Sequence, residues 1–96
     1  MTDADFVLGA KTRIKIIREL YKLAETNTTD LARRLGLSYN QLEVHLRILR
    51  EAGIIEEHRI GRVRLVSLRR EPEVLELAKA ISNLAQLLER TKKASS

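Results

Sequence analysis

The stretch TTDLARRLGLSYNQLEVHLRILREAGIIEEHRIGRVR, residues 28–64, decides the reading of this chain. Asn27 just before it, with Thr28 and Thr29 at its start, brings side-chain oxygens that can cap a helix start. Asp30 follows in the first turn, where the positive end of the helix dipole favours an acid. Leu31, Ala32 and Leu35 share a face, and Gly36 ends the helix as a left-handed cap. Leu37 then plugs the core between two helices. Ser38 and Gln41 form a capping box: the serine oxygen meets the Gln41 amide and the glutamine side chain returns to the serine amide. Leu42, Leu46 and Leu49 recur at i, i+4 and i+7, which puts one face of this second helix against a core. Ala52-Gly53 closes it. Branched residues then predict a strand over 54–59, a turn at Ile60-Gly61-Arg62 and a returning strand over 63–68.

Working outward, residues 11–24 predict a preceding helix. Ile14, Ile17, Leu20, Tyr21 and Ala24 make one apolar stripe, and Ile16 and Leu23 widen it on a second side. That is more apolar surface than one small core needs, and it assigns Ile16 and Leu23 to a subunit interface; a helix packed deep in the monomer is the alternative. Residues 1–10 are an N-terminal arm whose apolar cluster, Phe6, Val7 and Leu8, either packs on a partner or frays. Pro72 suits the first turn of a last helix, because its missing amide donor costs nothing there. Val74, Leu77, Ile81, Leu84, Leu88 and Thr91 alternate by three and four, a heptad seam over about 20 residues or roughly 30 Å. The first five of these are assigned to the dimer interface, with the alternative that part of the stripe folds back on the chain's own first helix. Residues 92–96 are expected to be a disordered tail. The fold class is therefore mainly α with a small β-hairpin wing: a winged helix-turn-helix over 11–70, with a long C-terminal dimerisation helix over 71–91.

Ninety-six residues make one domain, and a chain this short gains stability from a second subunit. With no cysteine there is no disulfide, thiolate metal site or cysteine nucleophile. No apolar run approaches a membrane span of roughly 18 residues, so a soluble, cytoplasmic protein is expected. No Ser-His-Asp set, paired catalytic carboxylate, glycine-rich phosphate loop or metal cluster is present, so an enzyme is not expected, nor any cofactor.

Charge points to the partner. Lys plus Arg number 18 against 13 acids, a net charge of +5. Residues 59–70 hold five arginines (59, 62, 64, 69 and 70) and no acid, whereas 71–96 balance four acids with four bases. Clustered guanidinium forks suit phosphate oxygens. With the three leucines turned inward, the second helix of the pair exposes Tyr39, Asn40, Gln41, Glu43, Val44 and Arg47, with Ser38 at its start. Asn40 and Gln41 can each pair with adenine's edge, Arg47 with guanine or a phosphate, and Val44 with a thymine methyl. Glu43 repels phosphate, although it can accept from cytosine N4. In the wing, Arg62 and Arg64 are expected on one face, reaching a phosphate or the minor groove with Arg59 across the turn. The amides and hydroxyls of Thr28 and Thr29 make a second phosphate site. Arginines 69 and 70 read as a solvated hinge.

Leu31 to Ser38, the run from His45 to Ile55 with its His-Leu-x-x-Leu-Arg-Glu-Ala-Gly core, Gly61-Arg62 and Ser67-Leu68 together resemble the ArsR-like winged helix-turn-helix regulators over about residues 12–70. The resemblance implies a homodimer formed by first and last helices and a two-fold symmetric site on double-stranded DNA. It implies base reading by residues 38–47 and backbone contact by the Gly61-Arg62 wing. The chain departs from metal-sensing members: it lacks their cysteine pair, and its last helix has no histidine. No metal is therefore expected. His45 matches a family position that packs or touches the DNA backbone. The regular heptads suggest a coiled-coil dimer seam, as in small archaeal chromatin-type winged-helix proteins, and a nucleoid-associated location is expected. A sequence-specific regulator is the leading reading. A sequence-neutral architectural DNA binder and a protein-docking module are the alternatives. No operator, sign of regulation or small-molecule effector is legible.

Overall fold

The computed structural model describes residues 3–95. Its elements run α1 (Ala4–Leu8), α2 (Lys11–Leu23), β1 (Glu25–Asn27), α3 (Thr28–Leu35), α4 (Tyr39–Glu51), β2 (Ile55–Ile60), β3 (Val63–Leu68) and α5 (Pro72–Ser95). This is the mainly α winged helix-turn-helix expected, with three departures that have local causes.

The first departure is α1. The arm is not irregular: Asp3 caps a five-residue helix by accepting from the Phe6 amide at 2.8 Å, and Val7 enters the core. Residues 1 and 2 of the expected arm lie outside the described residues. The second is β1, which pairs antiparallel with β3 and gives the sheet order β1-β3-β2. The wing hairpin is thus anchored to the body by a third strand, entered through Ala24 at φ +67°, ψ −52°. The third is the tail: α5 continues to Ser95, through residues expected to be disordered, and residue 96 lies outside the described residues.

Between α3 and α4 the expected chemistry is present. Gly36 takes φ +66° and donates its amide back into α3, a conformation that a Cβ disfavours. Ser38 Oγ accepts from the Gln41 amide at 3.2 Å while Gln41 Oε1 accepts from the Ser38 amide at 2.9 Å. The α3 cap is supplied by Asn27, whose side chain accepts from the Asp30 amide at 2.7 Å.

Helix α2 is the centre of the core. It is packed by α1, α3, α4, α5 and the sheet. Ile16, Ile17 and Leu20 are fully buried, with Leu31, Leu42, Leu46, Leu49, Ile55 and Val66. The second apolar side of α2 is therefore spent within the chain. Ile16, assigned to a subunit interface from sequence, has no exposed surface, and Leu23 is half-buried. The heptad seam divides in the same way. Val74, Leu77 and Ile81 pack against the chain's own core, and Ala78 is buried beside them. Leu84, Leu87 and Leu88 remain 54, 48 and 54 % exposed. The half of the seam nearer the wing is thus intramolecular, and the distal half is bare.

Candidate nucleic-acid interface

Leu42, Leu46 and Leu49 are buried beneath α4, at 1, 0 and 0 % exposure. The opposite face holds Tyr39, Asn40, Gln41, Val44 and Arg47 in the open, as the helical spacing demands. Among the described residues, neither Asn40 nor Arg47 has a side-chain hydrogen bond or ion pair, so both are uncommitted. Ser38 and Gln41 are committed to the capping box. Gln41 uses its carbonyl oxygen to accept from the Ser38 amide and keeps its own amide N–H groups.

The wing turns on two residues, Gly61 and Arg62, between the paired Ile60 and Val63. Gly61 has φ +62° and Arg62 does not share the positive sign, the pattern of a II′ hairpin turn. Arg62 therefore sits at the tip, and Arg59 stands on the preceding strand. Both are exposed, and neither enters an ion pair among the described residues.

Arg64 differs from expectation. Strand alternation puts it on the face of Val66 and Leu68, and the β2 register puts Glu57 across from Val66 on that face. The Arg64 side chain is only 14 % exposed and lies against α4 rather than out at the tip. Its Nη1 donates to Glu43 Oε2 at 2.6 Å and to the Tyr39 hydroxyl at 2.8 Å. Its Nη2 donates to Glu43 Oε1 at 3.0 Å and to Glu57 Oε2 at 2.8 Å. Glu57 in turn accepts from Arg50 Nη1 at 3.1 Å. The guanidinium hydrogen bond to Glu43 is the main cause of two shifts: the glutamate's pKa is lowered against the opposing effect of burial, and the arginine's is raised further. Arg64 is thus an internal strap and not a free cation. The same contact neutralises Glu43, the residue that fitted poorly on a DNA-facing helix.

At the start of α3, Thr29 is exposed but Thr28 is buried, at 7 %. The residue after a short paired strand is turned into the fold, so the helix start offers Thr29 more than Thr28. Asp30 accepts from Thr26 Oγ1 at 2.9 Å, from Arg34 Nε at 2.7 Å and from Arg33. These bonds, with that of Arg34 foremost and that of Thr26 next, hold its pKa down at about 2. An open groove of about 630 Å³ runs from this helix start past Tyr39 to the wing, lined by Thr29, Arg33, Arg59 and Arg62 among others. Its border carries hydroxyls and the guanidinium groups of Arg59 and Arg62, unpaired among the described residues, which phosphate contacts use, together with Asp30, which is paired to Arg33.

Sequence reasoning missed Arg13. This arginine is buried at 6 % exposure, with its guanidinium 5.1 Å from the centre of the Phe6 ring. Its Nε donates to the Val7 carbonyl and its Nη2 to the Phe6 carbonyl, both at 2.7 Å, while Nη1 lies 3.0 Å from His45 Nδ1. Neutral imidazole is needed for that last contact. The His45 pKa is lowered, first by burial and then by the Arg13 charge. His45 therefore joins α4 to Arg13 of α2, and Arg13 in turn holds α1. Groups of three or more potential metal ligands are absent among the described residues.

These features belong to the helix-turn-helix regulators, and the comparison with known families is specific. The model of the bacterial regulatory protein arsR family matches residues 10–57, and the chain belongs to that family. No curated protein matches the chain. Among solved structures, it is similar to HlyU from Vibrio cholerae (24 % identity, 81 % of this chain and 83 % of that one, TM-score 0.76). It is also similar to the transcriptional repressor PagR of Bacillus anthracis (27 % identity, 78 % and 84 %, TM-score 0.70). A mutant of ZitR from Lactococcus lactis, in apo form, shares the fold over 95 % of this chain and 67 % of its own (21 % identity, TM-score 0.79). The family and the fold are those of DNA-binding transcriptional regulators, which are not enzymes.

Proposed function

We propose that this chain is a sequence-specific transcriptional regulator that binds double-stranded DNA as a homodimer, with residues 38–53 in the major groove. The observation that carries the reading is the open face of α4. Asn40, Val44 and Arg47 stand clear over a buried leucine row, beside the uncommitted Arg59 and Arg62 of the wing. Asn40 and Arg47 are the base-reading candidates, and Val44 adds a methyl surface. Tyr39, Thr29, Arg59 and Arg62 suit phosphate, with the wing on the backbone or minor groove. Such a protein acts at the chromosome; no described helix is long and apolar enough to cross a membrane.

The bare distal half of α5 supports the homodimer. Leu84, Leu87 and Leu88, with the 40 % exposed Tyr21, form an apolar face that a second copy would cover. The groove between α2 and α5 there is also lined by Glu19, one of whose carboxylate oxygens is buried without a hydrogen-bond partner. Selection of bound sequences from a random DNA pool, repeated at several salt concentrations, tests the whole reading. A palindromic consensus bound at least about a thousandfold more tightly than random DNA is expected. Equal affinity for all sequences would replace it with an architectural role, and no binding at low salt with a docking role.

A further inference from the structure

The Arg64 network joins two parts of the molecule that are otherwise separate reading elements. Tyr39, Glu43 and Arg50 lie along one flank of α4; Glu57 and Arg64 lie on the two wing strands. The charges cancel: two arginines, two glutamates. Arg64 uses its guanidinium fork on both oxygens of Glu43 and on one of Glu57, at 2.6 to 3.0 Å. Bidentate charge-assisted pairs fix angle as well as distance. Both Arg64 and Glu57 are 14 % exposed, so the pair is shielded from solvent more than an ordinary surface ion pair. The base of the hairpin is also held by β1, through its pairing with β3 as far as Leu65 and a 3.1 Å contact between His58 and Glu25, but toward the tip Ile60 is 66 % and Val63 is 46 % exposed.

The geometry points to Arg64 and Glu43 as positioning residues that set the angle of the wing to the recognition helix, and so determine how sharply the protein discriminates between sequences. This rests on the proposed DNA-binding reading. Only when the wing is held at one angle can Arg62 meet the backbone while Arg47 and Asn40 meet base edges. If the wing swings, the two sets of contacts are no longer made together on a cognate site. Random DNA, which offers phosphates everywhere, is bound through whichever contacts the loosened wing finds. Glu43 in this arrangement is engaged by the strap, since each of its oxygens accepts from Arg64. Arg64 is engaged likewise, since both its terminal nitrogens donate to Glu43, Glu57 and Tyr39.

The test compares Glu43→Gln, Arg64→Gln and the double variant with the parent chain, on the site selected from a random pool and on random DNA. The strap predicts that each single variant weakens the selected site by at least about tenfold, the scale of a lost charge-assisted hydrogen bond. Random DNA should change by less than about threefold, and the double variant should cost no more than the worse single one. Two other outcomes overturn the proposal. If Glu43→Gln changes the preferred base at one position while Arg64→Gln does not, Glu43 reads a base. If Arg64→Gln weakens all sequences alike and lowers the salt slope by about one contact, Arg64 binds phosphate.

A DNA-free readout separates failure of the strap from failure of the functional reading. Backbone amide order parameters over residues 59–64 should fall in Arg64→Gln from about 0.85 toward 0.6. A wing that stays as rigid as in the parent chain refutes the strap, whatever the parent does with DNA.

Discussion

Leu84→Asp should separate folding from the proposed association of two copies of this chain. In the single chain Leu84, Leu87 and Leu88 are each about half exposed, so the variant alters a surface position and not the core. Folding of the isolated chain should change by less than about 0.5 kcal/mol. Association is another matter. Full burial of a leucine is worth about 1.5–3 kcal/mol, and roughly half of that is still to be gained at each of the three positions. A two-fold interface uses each position twice, so the bare face offers on the order of 5–9 kcal/mol before the cost of association. Leu84→Asp removes about a third of this. It also brings two carboxylates to an apolar contact, at several kcal/mol each if they stay charged. The dissociation constant should therefore rise by about a thousandfold or more. Sedimentation equilibrium across a wide concentration range reads this directly, and thermal unfolding at low concentration checks that the chain still folds. Leu77→Asp is the contrast, since Leu77 packs on the chain's own core and its loss should unfold the chain. A Leu84→Asp chain that remains as dimeric as its parent would refute the reasoning and move the interface elsewhere.

Arg47→Ala should cost about 1–3 kcal/mol on one base pair of a selected site, whereas Arg62→Ala should weaken every sequence and reduce the salt slope by about one, both measurable by titrating DNA at several salt concentrations. Stability should be level above about pH 6.5 and fall as the pH drops from there toward the lowered pKa of His45, because in that window the unfolded chain takes a proton that the folded imidazole refuses. Urea midpoints between about pH 5.5 and 8 should show this slope in the parent and a flatter one in His45→Gln. Ala24→Gly should stabilise the chain by about 1 kcal/mol, since residue 24 holds a positive φ that alanine tolerates poorly; an unchanged melting temperature would mean that the turn is unstrained. Leu46→Ala, at a fully buried position, should cost about 2–5 kcal/mol by denaturant titration.

What was legible in the sequence was local in cause. The Ser38–Gln41 box, the Gly36 cap and the row of Leu42, Leu46 and Leu49 each need only neighbours within two turns, and each is present. The missed elements depend on distant partners. Residues 25–27 make a strand only because β3 is there to pair with, and α1 is a single short helix fixed by one aspartate and held by Arg13. Arg64 was placed on DNA because a hairpin tip has no core under it. The alternation of 64, 66 and 68 along β3 already carried the better signal, since Val66 and Leu68 point inward. Its partner Glu43, however, lies 21 residues away on a helix, and no spacing rule links them. For α5 the heptads mark an apolar stripe, but periodicity does not say whether a stripe is covered by its own chain or by another.

One continuous helix is seated on the head at Val74, Leu77 and Ile81 and stripped of cover from Leu84 onward. If two copies join through the uncovered end, no hinge intervenes between the joint and either reading head. The distance between the two half-sites would then be cast into the rod itself. Such a pair would tolerate little variation in the gap between half-sites, and a single residue inserted between 81 and 84 would turn each head by about 100° about its helix.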